Sequence, residues 1–227
     1  MNESYVLRFD GGKPEQSPED NSFVGGKPKL PPGTQIPVCG LCESEQSFMF
    51  QVSLPDGLWA GLSLATFACT SCAQESRLIP AIVKGAVIPE GFLEDYQVNF
   101  RFLVFETSSG VLHTNFRERV RFKRIHVEAT RNPDLHENKI GGNPTWLLDD
   151  EAPTSYGGKT SMFFLLQLLQ GFQFEIIQNA PPQIELSLDG SPQASPLPYY
   201  QLFLGNALFL FGTEDVKRPL VYAITQI

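Results

Sequence analysis

The chain is 227 residues long, 42% hydrophobic and 19% charged. That mix excludes a fully disordered, collagen-like or coiled-coil chain, and the length suits one large domain or two small ones. Lys and Arg number 17 against 25 Asp and Glu, a net charge of −8, which argues against a general nucleic-acid binder because phosphate affinity comes from clustered Lys and Arg.

Eighteen Pro and 19 Gly predict many turns and few long helices. The opening residues, MNESYVLRFDGGKP, carry no basic segment followed by an apolar core, so no signal peptide is expected. The longest apolar runs, 161–169 and 202–211, are shorter than the roughly 20 residues of a membrane helix. A soluble cytoplasmic protein with no membrane partner is the expectation.

In chain order, residues 1–21 are polar and rich in Pro and Gly, and read as a flexible N-terminal arm with a short strand over 5–9. Strands are expected over 48–54, 62–68 and 76–83, where Phe, Val, Ile and Tyr are enriched. Apolar residues over 98–106, the turn residues Ser108, Ser109 and Gly110, and a second run over 111–116 predict a hairpin. A basic strand over 117–127 follows. Further short strands are expected over 146–148, 162–169, 172–177, 184–188, 199–204, 207–211 and 220–224, although 161–169 also suits a short buried helix.

The sequence repeats itself. Phe23-Val-Gly-Gly-Lys-Pro28 returns as Lys139-Ile-Gly-Gly-Asn-Pro144, and Phe48-Met-Phe-Gln51 returns as Phe164-Leu-Leu-Gln167; both offsets are 116 (141 − 25 and 167 − 51). Gly11-Gly-Lys-Pro14 shows the same four-residue pattern, so neither anchor would carry the repeat alone. A looser match, Ala65–Thr70 with Leu208–Thr213, has an offset of 143 and places an insertion of 27 (143 − 116) near 180–198. The expected fold is α+β but β-rich, with two pseudo-repeated antiparallel sheet units at 22–95 and 137–227. Residues 96–136 form the connecting hairpin and basic strand. In each unit the Gly pair would supply a turn with positive φ, and Gln51 or Gln167 would tie that turn down from inside the core.

The four cysteines are Cys39, Cys42, Cys69 and Cys72, two C-x2-C knuckles separated by 26 residues. Two such knuckles make a tetrahedral four-thiolate set, so the first reading is one structural zinc site in the first unit. A redox C-x-x-C and plain buried thiols are the other two readings. A closed four-thiolate site leaves no position for a substrate. The second unit has Gly212 near the place of Cys69 and no cysteine.

Other motifs are weaker. Tyr156-Gly-Gly-Lys-Thr160 resembles the end of a phosphate-binding loop, but Pro153 stands where the first Gly is required, so it reads as a turn. His113, His126 and His136 are scattered, and Asp149, Asp150, Glu151, Glu214 and Asp215 read as solvated loop acids. Arg117, Arg119, Arg121, Lys123 and Arg124 read first as a solvated strand face, and second as a patch for an acidic partner or phosphate.

Residues 23–31, then Cys39-Gly-Leu-Cys42, then Phe48-Met-Phe-Gln51 resemble the opening of the YwqG-like bacterial family of unknown function. They also resemble the programmed cell death protein 2 family. The second copy at 139–146 and the tail 202–212 resemble the YwqG-like family as well. Leu148 stands where that family often has Gln. The resemblance implies a two-repeat β-rich fold, a chaperone role toward a ribosomal protein in the eukaryotic relatives, and no established enzyme activity. The functional expectation is a non-enzymatic protein-interaction module: a holder of a basic client polypeptide using strand edges between the repeats, or an immunity-type binder. The alternative is a hydrolase or small-ligand enzyme using His136 with Asp149 or Glu214.

Overall fold

The computed structural model describes residues 3–11 and 15–227. Residues 12–14 of the Gly11–Pro14 pattern therefore lie outside the described residues. In chain order the strands are β1 (Ser4–Phe9), β2 (Phe23–Val24), β3 (Lys29–Leu30), β4 (Ser47–Ser53), β5 (Leu62–Ala68), β6 (Val87–Ile88) and β7 (Phe100–Glu106). There follow β8 (Val111–Leu112), β9 (Lys123–Thr130), β10 (Lys139–Gly141), β11 (Ser155–Tyr156), β12 (Thr160–Leu168) and β13 (Phe174–Glu175). The last are β14 (Ile184–Leu186), β15 (Pro192–Ala194), β16 (Tyr199–Tyr200), β17 (Ala207–Thr213) and β18 (Val221–Gln226). A single α-helical turn, α1 (Phe92–Asp95), joins them. Among the described residues no helix is long and apolar enough to cross a membrane.

Ten strands form one antiparallel path, β18–β17–β12–β10–β1–β9–β2–β4–β5–β7. The two end strands are bridged by one side chain. Tyr96, just past α1, packs its ring against Phe100 of β7 at 5.2 Å and Tyr222 of β18 at 6.0 Å, and its hydroxyl donates to the Val221 carbonyl at 2.7 Å. One large core draws on both halves, including Val52, Leu64, Leu166, Phe209 and Ile224. A smaller core of Phe23, Leu30, Phe48, Ala65, Phe67 and Phe122 lies apart from it. Strict alternation would send Phe48 and Phe50 to one face. A bulge between them sends Phe48 to the small core and Phe50 to the large one.

The two Gly-Gly turns are built alike. Phe23 sits opposite Gln51 on β4, and Lys139 sits opposite Gln167 on β12. Both glutamines are 1% exposed. The Gln51 carbonyl accepts the Lys29 N–H at 3.2 Å, and the Gln167 carbonyl accepts the Thr145 N–H at 3.0 Å. Gly25 has φ +58°, and a Cβ there would lie 2.4 Å from the Arg121 carbonyl, so the close approach of the neighbouring chain requires glycine.

Several expectations need correction. The short strand expected over 5–9 is β1, but it does not belong to an arm: it lies at the centre of the sheet between β9 and β10, with Val6 and Leu7 buried. The boundary at 95 cuts through a ladder, since β7 pairs with β5 along its whole length. The segments 98–106 and 111–116 do not form a hairpin with each other; β8 pairs with β3 instead. The basic stretch becomes a strand only from Lys123, and residues 76–83 and 146–148 form no strand. The run 161–169 is strand β12, not a helix. The halves are joined by the β1–β9 pairing, so no free edge lies between them.

The halves also lock through side chains. Trp59, from the loop joining β4 to β5, reaches over to β17, where its Nε1 donates to the Thr213 carbonyl at 2.9 Å. A Cβ at Gly212 would stand 2.8 Å from the indole and 2.9 Å from Leu165, so glycine makes room for Trp59 against β17.

Candidate metal centre

Cys39 and Cys42 lie on a loop before β4 that the Val38–Glu45 bridge closes. Within it the Cys39 N–H donates to the Ser44 carbonyl at 2.9 Å, and the Glu43 N–H to the Cys39 carbonyl at 2.9 Å. Gly40 is packed against Val98, whose Cγ1 would be 3.1 Å from an added Cβ. Cys69 is the first residue after β5 and extends that ladder, donating its N–H to the Asn99 carbonyl at 2.7 Å. Cys72 follows on the same tight turn.

The four sulfurs converge, all within 4.8 Å of one another. Cys39–Cys72 is 3.8 Å, Cys42–Cys69 is 3.6 Å and Cys69–Cys72 is 3.5 Å. A tetrahedral zinc with bonds of about 2.3 Å sets its sulfurs about 3.8 Å apart, whereas a disulfide needs about 2.05 Å. All four cysteines are free. Each knuckle also turns a backbone N–H onto its first sulfur: Leu41 onto Cys39 and Ser71 onto Cys69, both at 3.4 Å. Such donors stabilise thiolates, not disulfides. The donor set therefore fits a tetrahedral metal ion.

The electrostatics explain why a cation is wanted. Burial pushes the Cys69 thiol up to about 11, and burial with the neighbouring thiols pushes Cys72 up further still. Burial acts the same way on Cys42, but hydrogen bonds from the Ser44 backbone and side chain and from neighbouring thiols outweigh it and bring that group to about 7. Four thiols this close cannot all ionise without a positive ion among them. Arg119 lies behind the site, its Nη1 donating to Ser47 Oγ at 3.1 Å and to the Glu45 carbonyl at 3.4 Å. Ser47 in turn bonds Thr70 at 2.7 Å, and the Thr70 carbonyl accepts the Ile184 N–H at 2.9 Å. The β14–β15 hairpin is thereby docked on the second knuckle. Cys39 is 1% exposed and Cys69 9%, while Cys42 and Cys72 are half-buried; four thiolates would fill a tetrahedral ion's positions, which is compatible with a structural metal.

The other candidate residues do not assemble. His136 bonds Thr145 at 3.2 Å and His126 bonds Asp10 at 2.7 Å, both on the surface. Asp149 meets Gln226 through its backbone carbonyl, and Glu214 stands on the wall of a separate cavity with Tyr5 and Trp59. The Tyr156–Thr160 motif is a turn between β11 and β12. The basic segment is largely neutralised within the protein. Lys123 and Arg121 lie 2.5 and 3.3 Å from Glu175, and Arg124 lies 2.6 Å from Asp20 and 3.6 Å from Asp10. No family model matches the chain, and no curated protein matches it either.

Sequence reasoning missed the clasp that holds β11. β6 pairs with it in parallel, and Tyr156 donates its hydroxyl to Glu94 at 2.5 Å while accepting the Gly91 N–H at 2.7 Å. Two-residue strands such as Val87–Ile88 carry no periodicity that could announce them.

Proposed function

We propose that this chain is a non-enzymatic polypeptide-binding protein that holds a basic client and is folded around one structural zinc at Cys39, Cys42, Cys69 and Cys72. A chaperone-like holder and an immunity-type binder are both within this class. The observation that carries the reading is the neutralisation of the one basic segment. Four of its five cations, Arg119, Arg121, Lys123 and Arg124, face carboxylates or backbone and hydroxyl acceptors of the same chain. What remains for partners is the acidic balance of −8, which favours encounter with cationic surfaces and disfavours phosphate backbones. Free thiols at metal-binding distance suit a reducing compartment such as the cytoplasm.

The same proposal takes the fold as two copies of one five-stranded unit, in keeping with the YwqG-like resemblance. The first would be β2, β4, β5, β7 and β9; the second β10, β12, β17, β18 and β1. Support comes from register. Phe23–Gln51 and Lys139–Gln167 share the offset 116 (139 − 23 and 167 − 51), and the bulge at Phe48/Phe50 recurs at Phe164/Leu166 with the same offset (164 − 48). Phe67 opposes Phe48 and Phe211 opposes Phe164, an offset of 144 (211 − 67), one more than the sequence match suggested. Thr213, not Gly212, then stands in the place of Cys69.

The test is a binding measurement. A labelled Lys/Arg-rich peptide and a labelled oligonucleotide of matched charge are titrated with the metal-loaded protein at low and at high salt. The peptide should bind, more slowly and more weakly as salt rises. Binding of the oligonucleotide alone would overturn the reading.

A further inference from the structure

A cavity of about 330 Å³ lies beside the metal centre, between the second cysteine knuckle and the β14–β15 hairpin. That hairpin belongs to residues 180–198, the segment that the repeat comparison sets apart as an insertion. Its walls are tied together by hydrogen bonds. The Thr70 carbonyl accepts the Ile184 N–H at 2.9 Å. Asn99 Nδ2 donates to the Arg77 carbonyl at 2.8 Å and so holds the turn Glu75–Arg77. Gln183 and Gln201 pair reciprocally: Gln183 Nε2 donates to the Gln201 carbonyl at 3.0 Å, and the Gln201 N–H donates to Gln183 Oε1 at 2.7 Å.

The two edges of the hairpin differ. The Ser187 N–H donates to the Ser191 carbonyl at 2.9 Å, and the Ser195 N–H to the Gln183 carbonyl at 2.8 Å. Antiparallel pairs alternate, so Glu185 and Gln193 bond each other while Ile184, Leu186, Pro192 and Ala194 turn their backbone groups outward. The outer edge of β15 carries Pro192, which has no N–H and guards that edge against pairing. The outer edge of β14 has no proline, and all three of its residues line the cavity. Thr70 takes the Ile184 N–H. Among the described residues the Leu186 N–H and the Ile184 and Leu186 carbonyls make no hydrogen bond.

The cavity also offers a charge and an apolar wall. Arg77 is its one cation, and among the described residues its guanidinium enters no ion pair. Glu185, the one carboxylate of the lining, accepts from Gln193 Nε2 at 3.3 Å. The turn Leu202–Gly205 lines the same space, and within it Phe203 and Leu204 have φ of +50° and +62°. Side chains other than glycine rarely hold that left-handed backbone, and where they do the strain tends to mark a ligand site. Phe203 is buried against Phe100, with centroids at 5.1 Å. Leu204 has no such place in the core: it is 52% exposed and stands at the rim of the cavity.

We infer that this cavity receives the C-terminal end of a polypeptide, laid as a short extra strand along β14. Its terminal carboxylate meets Arg77, and a large apolar last side chain packs on Leu78, Leu202 and Leu204. The inference rests on the polypeptide-binding reading above and adds where the client is held and by which end. Strand addition supplies backbone bonds that are indifferent to sequence, and the pockets beside the added strand supply selectivity. The guanidinium selects a chain end, because an internal segment brings no main-chain carboxylate to it. Lysines upstream of the terminus stay outside the cavity, so a basic client and a cation in the site are compatible.

The test uses two fluorescein-labelled peptides, Lys-Gly-Lys-Gly-Ile-Val-Leu with a free carboxylate and the same sequence amidated. Each is titrated against the full-length, metal-loaded chain by fluorescence polarisation. The free acid should bind about tenfold more tightly than the amide, and Arg77→Gln should erase that difference. Leu186→Pro removes an outward N–H, as Pro192 does across the hairpin. It should bind both peptides about fivefold more weakly than Leu186→Ala, which keeps the N–H. Leu204→Gly relieves the left-handed backbone and removes the apolar rim. Its unfolding midpoint should not fall below the parent's, while its affinity for the free acid drops about tenfold. Equal affinity for the two peptides, or binding that neither Arg77→Gln nor Leu204→Gly weakens, would overturn the cavity and leave the polypeptide-binding reading in place. Binding of neither peptide overturns the cavity as well. The reading itself falls with it only if the Lys/Arg-rich peptide also fails to bind.

Discussion

If the fold is the pair of units proposed above, the same corner of the sheet is finished in two ways. In the first half, β5 ends at Ala68 and Cys69 donates to Asn99; in the second, β17 ends at Thr213, which donates to the Leu220 carbonyl at 3.1 Å. Beyond Cys69 the chain makes a long excursion over residues 70–98. Beyond Thr213 it turns back at once, and Leu220 returns its N–H to Thr213 Oγ1 at 3.1 Å. Ahead of β4 stands the knuckle of Cys39 and Cys42; ahead of β12 stands the Tyr156 turn. The first corner gathers four sulfurs. The second is covered by β6 and by the Glu94 contact to Tyr156, both belonging to the excursion from the first half. One half thus supplies the covering chain for the other and gathers four cysteines at its own corner. A metal site supplies folding energy where the local apolar core is small, and the smaller core does lie in the first half.

The strongest way to break this comparison is to take the metal away. Cys69→Ser, or a chelator, should lower the unfolding midpoint by about 10 °C or more, since a structural zinc contributes several kcal/mol to folding. Metal analysis should give one zinc per parent chain and none for the variant. Hydrogen exchange should show protection lost first around residues 39–72 and kept in β12, β17 and β18; loss that is uniform would remove the asymmetry.

Next in size is Gly212→Ala, which drives a methyl into the Trp59 indole. It should destabilise by about 1–3 kcal/mol and shift the tryptophan emission, because the inter-half contact is displaced. Gln51→Leu and Gln167→Leu sharpen the comparison from the other side. Each strands a backbone N–H, buried at Lys29 and partly buried at Thr145, and each should cost about 1–3 kcal/mol in denaturant titrations. Penalties that differ by more than about 2 kcal/mol would separate the two turns energetically.

Smaller again is Tyr156→Phe, which removes both hydroxyl contacts of the clasp and should cost about 1 kcal/mol, read from the thermal midpoint. The smallest effect is acidic. The Lys123 hydrogen bond, followed by the Lys123 and Arg121 charges, holds Glu175 below its ordinary value of 4.5. A carboxyl held low in the folded state stabilises it above the unfolded value, and that contribution fades as pH falls through the folded value. Parent and Glu175→Gln should therefore differ by a few tenths of a kcal/mol at neutral pH and converge in acid.

Much of this was legible. Strand 62–68 coincides with β5, and the cysteine spacing foretold a cluster whose sulfurs lie within 4.8 Å of one another. The strongly apolar runs at 48–54 and 207–211 announce β4 and β17, because strands buried on both faces leave a continuous signal. What was hidden depends on partners distant in sequence. β1 looked like an arm because its six residues include Ser4 and Arg8, and only β9 and β10 on either side make it central. The pairing of β8 with β3 overrode a plausible local turn at Ser108–Gly110. The hollow beside Trp59 draws its lining from β1, the β4–β5 loop, the Gly-Gly turn and β12; no local pattern announces a surface assembled from so many places.

The central position of β1 has a consequence for biosynthesis. β1 leaves the ribosome long before one of its two neighbours and cannot complete its pairing until Lys139–Gly141 has been made, because that segment is its second neighbour. Until then, even with β9 in place, one long side of β1 presents bare backbone donors and acceptors. The interval between synthesis of residue 130 and residue 141 is thus when a nascent chain is most open to pairing with the wrong strand, its own or a neighbour's. A slowed ribosome over those codons should lower the yield of native protein more than the same delay placed after residue 168, by which point β10 and β12 have closed that side.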